Sequence, residues 1–174
     1  ASEAAAKKWS ITSGGVLTAE SGSKLSMDGL STSVAAGDIS FFAATTGNLA
    51  VANTTWTKIT AAEQWDRGGN YGSDKFTAPK AGVYKFTAML RLPAFSGNRV
   101  IMVAYKNGAT VGGYTHGTTT EIHSENTTYH SVTNTQFFSL AADDYIEFYL
   151  YQDSGASVNV FERTFYGYRL GTYN

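Results

Sequence analysis

The chain has 174 residues, of which 43% are hydrophobic, 14% aromatic and only 16% charged, and its formal net charge at pH 7 is −1. This length fits one domain with a short appendage and is enough to bury a sizeable core. The charge offers none of the basic surface that nucleic-acid binding requires, and the absence of cysteine excludes disulfides and thiolate metal sites.

The same composition indicates a class of protein and a source. A low charge combined with 18 Gly, 11 Tyr and 10 Phe is typical of a β-protein and not of a helical enzyme. Small secreted animal domains usually depend on disulfides, so the missing cysteines favour a microbial or viral source. No apolar run approaches the roughly 20 residues of a membrane span, and the N-terminus lacks the apolar segment of a signal peptide.

Residues 1–37 differ in composition from the rest of the chain. Residues 1–9 are good helix formers, but the segment is too short to be a stable helix alone. From Trp9 to Gly37, short apolar groups are separated by Ser, Thr and Gly, and they bury too little to fold as a monomer. We interpret residues 1–37 as a stalk or neck of a short helix and short strands wound with identical chains, or alternatively as a linker.

Globular sequence begins at Asp38 and extends to residue 174. Ile39–Ala44 and Thr55–Thr60 have the composition and alternation of strands. Residues 61–75 contain turn-forming Gly, Asn, Ser and Asp, and we predict a connection there.

The strand predicted over Gly82–Leu92 is the clearest in the sequence. Its residues alternate in character, so that one side is apolar and the other carries polar and charged groups. The predicted core-facing side comprises Tyr84, Phe86, Ala88, Leu90 and Leu92. Lys85 and Arg91 are on the opposite side, and Pro93 ends the run because proline cannot donate to a central ladder.

Further strands follow at short intervals. Arg99–Lys106 leads into Asn107-Gly108, a strong hairpin signal because both residues accept positive φ. The return strand is Ala109–Tyr114, and the polar, Thr-rich residues 115–130 are predicted to form a long surface loop. Three more segments are predicted to be strands: Ser131–Leu140, where Val132, Phe137, Phe138 and Leu140 supply the apolar groups, Tyr145–Tyr151, and Val158–Leu170. Eight to ten short strands predict an all-β antiparallel sandwich or jelly roll.

Four segments resemble the globular-head domain of complement component 1q, within the tumour-necrosis-factor-like superfamily. They are Asp74–Phe86, Ala104–Gly108, Ser139–Ile146, in which Ala142 replaces the usual Gly, and Thr164–Leu170. The resemblance implies a ten-stranded antiparallel jelly roll over residues 38–174 that forms a compact homotrimer at the end of a stalk. The stalk lacks a collagen repeat and is similar to the fibrous necks of bacteriophage tail fibres and tail needles.

Tyrosine-rich strands support trimer formation independently. Tyr residues at this density suit an interface that is buried but polar, because the rings bury area while the hydroxyls find partners. The alternative is that they are ordinary amphipathic residues on a wet surface. The predicted interface residues are Tyr84, Tyr145, Tyr149, Tyr151, Tyr166 and Tyr168.

Metal and cofactor sites are not indicated. His116, His123 and His130 are seven residues apart, and odd spacing in strands places neighbours on opposite faces. They are expected to be solvated loop residues, although a threefold axis could gather three copies of one His. Asp143-Asp144 is interpreted as a turn cap and not as a calcium site.

Catalysis is not expected either, because the nucleophile elbow, phosphate-binding loop, dinucleotide fingerprint and zinc-protease motif are all absent from the sequence. We expect instead a homotrimeric, non-enzymatic knob at the tip of a phage tail fibre or tail needle, on the virion or otherwise extracellular. Its partner would be a host cell-surface glycan or envelope component, which three copies bind with avidity. The alternatives are a purely structural trimerisation cap, a secreted bacterial adhesin or glycan-binding module, and a glycan-active enzyme.

The contacts with such a surface are predicted in two stretches, the loop 115–130 and the turn 61–74. Aromatic side chains there could stack on sugar rings, or could serve only in loop packing. The candidate ligand-binding residues are Trp65, Tyr71, Tyr114, His123 and Tyr129.

Overall fold

The computed structural model of the chain describes residues 9–11, 17–19, 39–95, 99–111, 119–123 and 128–172. The chain divides into two compact units, Ala1–Val34 and Ala35–Asn174. In the first unit, strands β1 (Trp9–Ile11) and β2 (Leu17–Ala19) pair antiparallel, with Trp9 opposite Ala19. The rest of the predicted helix and stalk lies outside the described residues, so the stalk remains a prediction.

The second unit is built from strands, and its described residues include no helix. The long strands that form its framework are β3 (Ser40–Val51), β8 (Gly82–Pro93), β9 (Arg99–Lys106), β12 (Tyr129–Leu140), β13 (Tyr145–Gln152) and β14 (Val158–Gly171). The shorter strands are β4 (Thr57–Lys58), β5 (Glu63–Arg67), β6 (Tyr71–Gly72), β7 (Lys75–Thr77), β10 (Ala109–Thr110) and β11 (Thr119–His123). No helix among the described residues is long and apolar enough to span a membrane.

The strands form two antiparallel sheets. The five-stranded sheet has the order β12-β8-β14-β3-β5. The seven-stranded sheet has the order β10-β9-β13-β7-β6, with β11 also paired to β9 and β4 to β13. Neighbouring strands in each sheet are mostly distant in sequence, as in a jelly roll, and the predicted all-β antiparallel class is confirmed.

The core lies between the sheets, and the predicted alternation of the clearest strand is confirmed. All five predicted core residues of β8, from Tyr84 to Leu92, are buried. The seven-stranded sheet contributes Met102, Ile146, Phe148 and Leu150 from its inner face. Aromatic rings fill the centre, where Phe41 stacks on Tyr71 and Phe76 and meets Phe165 edge-on.

Some of the predictions for loops are wrong. The predicted loop 115–130 contains β11, which pairs with β9, and the first residues of β12. The connection predicted over residues 61–75 contains β5, β6 and the start of β7. These strands are short and polar, and they are stabilised by pairing with neighbours distant in sequence, which local alternation does not reveal.

Two residues also differ from their predicted environment. Phe137 was grouped with the apolar residues of its strand, but it points away from the core and is 61% exposed. His130, predicted to be a solvated loop residue, is buried, with its ring centroid 5.0 Å from that of Phe95.

Candidate functional site

The outward face of the five-stranded sheet carries an unusual concentration of apolar side chains. Among the described residues, six large hydrophobic side chains are exposed, at 38–61% of their surface, and all six belong to strands of this sheet. They are Trp65, Met89, Tyr129, Phe137, Tyr166 and Leu170. Because single exposed apolar residues are normally scattered over a monomer, this concentration marks a candidate interaction surface, which we call the aromatic face.

The strand register places these residues side by side. One row crosses all five strands and consists of Thr135, Thr87, Tyr166, Phe42 and Trp65. The two threonine hydroxyls are 2.9 Å apart and can hydrogen-bond to each other, so this end of the row carries no charged group. The ring centroids of Phe42 and Tyr166 are 6.3 Å apart. The row is therefore a continuous, largely apolar strip.

Charged residues flank this strip on both sides. In one neighbouring row, Lys85 lies between Phe137 and Tyr168, and its Nζ is 5.8 Å from the centre of the Phe137 ring. On the other side, Arg91 Nη1 donates to Glu162 Oε1 at 2.9 Å, and both side chains are exposed. An apolar centre with a charged rim is the usual composition of a protein–protein interface.

The six tyrosines predicted to form a trimer interface lie in three different places. Tyr166 and Tyr168 are on the aromatic face. Tyr84 is fully buried in the core and donates its hydroxyl to the carbonyl oxygen of Lys80 at 2.6 Å, so its assignment to an interface is wrong. Burial also raises the pKa of the Tyr84 phenol. Its place in the strand alternation, facing the core, was the signal that should have excluded it.

The other three interface tyrosines are on the opposite side of the sandwich, on the outward face of the seven-stranded sheet. They are already half covered by neighbours within the chain. The Tyr149 ring stacks on Tyr105, with centroids 4.4 Å apart, and Lys75 Nζ is 4.2 Å from the centre of the Tyr145 ring. Burial, followed by the nearby Glu147 carboxylate, raises the pKa of Tyr149. Tyr151 packs against Trp56.

The predicted ligand-binding residues are not brought together. Trp65 and Tyr129 are on β5 and β12, the two opposite edges of the five-stranded sheet. His123 is on β11 of the other sheet, with Nε2 3.2 Å from Glu121 Oε1. Tyr114 lies outside the described residues.

Tyr71, another of the predicted ligand-binding residues, is buried in the core. It is 8% exposed, stacks on Phe41 and donates its hydroxyl to the carbonyl oxygen of Ala61 at 2.8 Å. It is a core residue, and the prediction that it contacts a ligand is wrong. Its position in a Gly-rich stretch suggests exposure, but Tyr71 belongs to β6 and pairs with Phe76 of β7, with its ring in the core.

The turn at Asp143-Asp144 has the capping role that the sequence indicates. Asp143 adopts a φ of 69°, and Asp144 Oδ2 accepts a hydrogen bond from the Ala141 backbone N–H at 2.7 Å. Among the residues that the structure describes, no three His, Cys, Asp or Glu side chains converge as a metal site would require.

Comparisons with known proteins agree with the fold. No protein-family model and no curated protein matches the chain. Among solved structures, the globular domain of zebrafish complement 1qA protein has a TM-score of 0.59 at 11% identity and covers 78% of this chain and 99% of its own. Murine APRIL has a TM-score of 0.56 at 12% identity, covering 76% and 98% respectively.

The PRD1 vertex protein P5 has a TM-score of 0.54 at 14% identity, covering 77% of this chain and 98% of its own. Together these similarities confirm the predicted jelly roll of the complement component 1q and tumour-necrosis-factor type. At such low identity they establish a shared fold and nothing about function.

Proposed function

We propose that this chain forms a homotrimeric, non-enzymatic knob at the tip of a phage tail fibre or tail needle, where it contacts the bacterial cell surface during attachment. The observation that carries the proposal is the aromatic face, where all six exposed large hydrophobic side chains of the described residues lie on one sheet. An exposed apolar patch of this kind, rimmed by polar residues, is typical of a surface that a partner covers. We infer that the partner is another copy of the chain.

A closed ring restricts which surfaces two copies can bring together. In a cyclic trimer each interface is heterologous, so one patch of a copy contacts a different patch of the next. The outward faces of the two sheets point in opposite directions. If the aromatic face of one copy packed on the outward face of the seven-stranded sheet of the next, each added copy would extend an open stack and the ring would not close. The aromatic face therefore packs against an edge of the neighbouring sandwich, and the outward face of the seven-stranded sheet stays accessible.

This arrangement changes the interface that the sequence predicts. Tyr166 and Tyr168 are retained, and Phe137, Met89 and Trp65 are added because they lie on the same face. The proposed interface excludes three tyrosines of the outward face of the seven-stranded sheet, because no other copy covers that face in the closed ring. They are Tyr145, Tyr149 and Tyr151. Within one chain, Tyr149 already packs against Tyr105 and Tyr151 against Trp56.

Attachment to a cell is supported by two further observations. The fold is shared with the PRD1 vertex protein P5, and the short apolar groups set between Ser, Thr and Gly in residues 9–37 resemble the fibrous necks of phage tail proteins. A rigid trimer binds a repetitive surface with an affinity that one weak site could not provide. The absence of catalysis is inferred from the missing sequence motifs.

Light scattering and cell binding test the proposal together. In light scattering at micromolar concentration, the purified protein should form a particle of three times the 18.7 kDa mass of one chain. The fluorescently labelled trimer should bind to bacteria. A stable 18.7 kDa particle would contradict the trimer. A trimer that binds to none of a broad panel of bacteria would instead favour the structural cap.

A further inference from the structure

The outward face of the seven-stranded sheet contains a groove of about 330 Å³. Its lining residues are Trp56, Arg99, Ile101, Thr119, Glu121 and Tyr151. The groove is on the opposite side of the sandwich from the aromatic face, so the proposed trimer leaves it open to solvent. Its volume is at the small end of the roughly 300–1,000 Å³ of small-molecule sites.

The register of three strands brings these side chains together. Ile101 on β9 pairs with Tyr151 of β13 on one side and with Glu121 of β11 on the other. Beyond Tyr151, the Trp56 ring lies 5.2 Å away, centroid to centroid, at an interplanar angle of 43°. The groove thus has an aromatic wall of Trp56 and Tyr151, an aliphatic floor at Ile101 and a carboxylate at Glu121.

Arg99 is fixed at one end of the groove. Its backbone N–H donates to Asp153 Oδ1 at 2.8 Å, and its side-chain Nε donates to Asp153 Oδ2 at 3.1 Å. The guanidinium carbon is also 5.8 Å from the centre of the Tyr151 ring. The hydrogen bond to Asp153 uses Nε, so the two terminal amino groups of the guanidinium remain donors for a ligand. Their orientation is set before the ligand arrives, which reduces the entropy lost on binding.

The side chains match the chemistry of a sugar ring. A pyranose has an apolar C–H face, which can stack on an aromatic ring, and hydroxyls at its edge that both donate and accept hydrogen bonds. Arg99 supplies donors and Glu121 supplies acceptors at the rim of the aromatic wall. Sites with an apolar wall and a few placed polar groups are typical of small-ligand recognition.

The charges in the groove select among sugars. The charge of Arg99 is offset by the Asp153 carboxylate, which is 3.1 Å from Nε. Glu121 then adds a negative charge, which His123 offsets only when its imidazole is protonated. The net charge near the groove is therefore zero or negative, which disfavours a carboxylate-bearing sugar. We propose that this groove binds a neutral hexopyranose, one or two rings of a surface polysaccharide.

This inference rests on the proposed function for the source of the sugar, because a cell-attachment protein would meet it in the bacterial envelope. The binding itself is independent of trimer formation, since all six lining residues belong to one chain. In the proposed trimer, three identical grooves would add their modest affinities through avidity.

Titration with defined oligosaccharides tests the groove directly. The probes are disaccharides and tetrasaccharides of glucose, galactose, mannose and rhamnose, with galacturonic-acid and glucosamine oligomers for comparison, followed by saturation-transfer NMR and tryptophan fluorescence. We expect a neutral probe to bind, Trp56→Ala to weaken it at least about tenfold, and Glu121→Gln to weaken it about fivefold. Glu63→Gln, an exposed carboxylate on β5, is the matched control and should bind as the wild type does.

Glu121→Gln is nearly isosteric at an exposed position, so it keeps the test valid if Trp56→Ala fails to fold. Absence of binding by every probe, preference for the acidic oligomer, or unchanged binding by both variants would overturn the inference. If variants of a confirmed trimer bind bacteria as well as the wild type does, the groove inference alone is wrong. A monomer that binds neutral sugars through Trp56 would contradict the trimeric knob and leave the groove intact.

Discussion

The ammonium nitrogen of Lys106 lies 2.8 Å from Oδ2 of Asp144. The same carboxylate accepts hydrogen bonds from the Asn107 side-chain amide and from the Ala141 backbone N–H, each at 2.7 Å. Asp144 thus joins the turn after β9 to the turn before β13. The hydrogen bonds from Lys106 and then Asn107 lower the pKa of Asp144 from 3.8 to about 2.

This pKa predicts acid-dependent stability. Because the folded-state pKa is lowered, the carboxylate stabilises the fold fully above pH 4 and loses this contribution as the pH falls from 4 towards 2. Asp144→Asn should cost about 1 kcal/mol of unfolding free energy at pH 6, a value discounted for solvent screening. Urea unfolding at several pH values measures this cost. A cost that is equal at pH 6 and pH 2.5 would contradict the proposed role of the ionised carboxylate.

Gly167 has no room for a side chain. A Cβ at this position would collide with the Phe86 ring and lie 2.8 Å from the Lys85 carbonyl oxygen. Gly167→Ala should therefore destabilise the fold by about 1–3 kcal/mol, as overpacking does in other cores. The control is Gly72→Ala, because a Cβ at Gly72 meets nothing within 4 Å. Equal melting temperatures for the two variants would show that the β8–β14 contact is looser than described.

Arg163 is buried and donates to three backbone carbonyl oxygens, those of Thr60, Gly47 and Val160, at 2.6–3.0 Å. Burial lowers the pKa of its guanidinium, but these carbonyls accept hydrogen bonds from its Nε and Nη1. Arg163→Met would leave the carbonyl oxygens without this donor and should cost about 3 kcal/mol. Glu63→Gln, at an exposed position on β5, should cost less than about 0.5 kcal/mol in the same denaturation experiment. A small effect at Arg163 would indicate that water replaces the guanidinium.

Disruption of the aromatic face should dissociate the trimer without unfolding the chain. Met89→Glu and Phe137→Glu each place a charge on an exposed position of this face, where burial against another copy would be costly. We expect light scattering to report monomers for both variants, with circular dichroism unchanged. Ala109→Glu, on the exposed edge strand β10, is the control and should remain trimeric. Trimers in all three variants would mean that another surface holds the copies together.

The candidate surface was only partly predictable from the sequence. Trp65, Tyr129, Tyr166 and Tyr168 were singled out as aromatic residues available for contact, and all are on the five-stranded sheet. Met89 and Phe137 were missed as interface residues. Strand alternation places Met89 on the side of β8 opposite its apolar set, and the sequence groups Phe137 only with the apolar residues of its strand. The adjacent Phe137 and Phe138 must point to opposite faces, and their apolar character does not show which of them faces outward.

The groove residues were missed for a related reason. Trp56 lies just before β4, Arg99 is on β9 and Glu121 is on β11, so no local motif joins them. Glu121 also lay in a stretch predicted to be a loop. A strand at that position would have placed Glu121 and His123 on one face, which is the signal that could have led to the groove.

The sequence by itself determined that this is an all-β antiparallel protein, and it determined which residues of β8 face the core. A period of two depends only on the strand to which the residues belong, so it can be recognised locally. Only the tertiary structure decided which strands share a sheet, and therefore that Tyr166 and Tyr149 lie on opposite sides of the molecule. That choice depends on the pairing of residues far apart in the chain, which strand alternation alone does not specify.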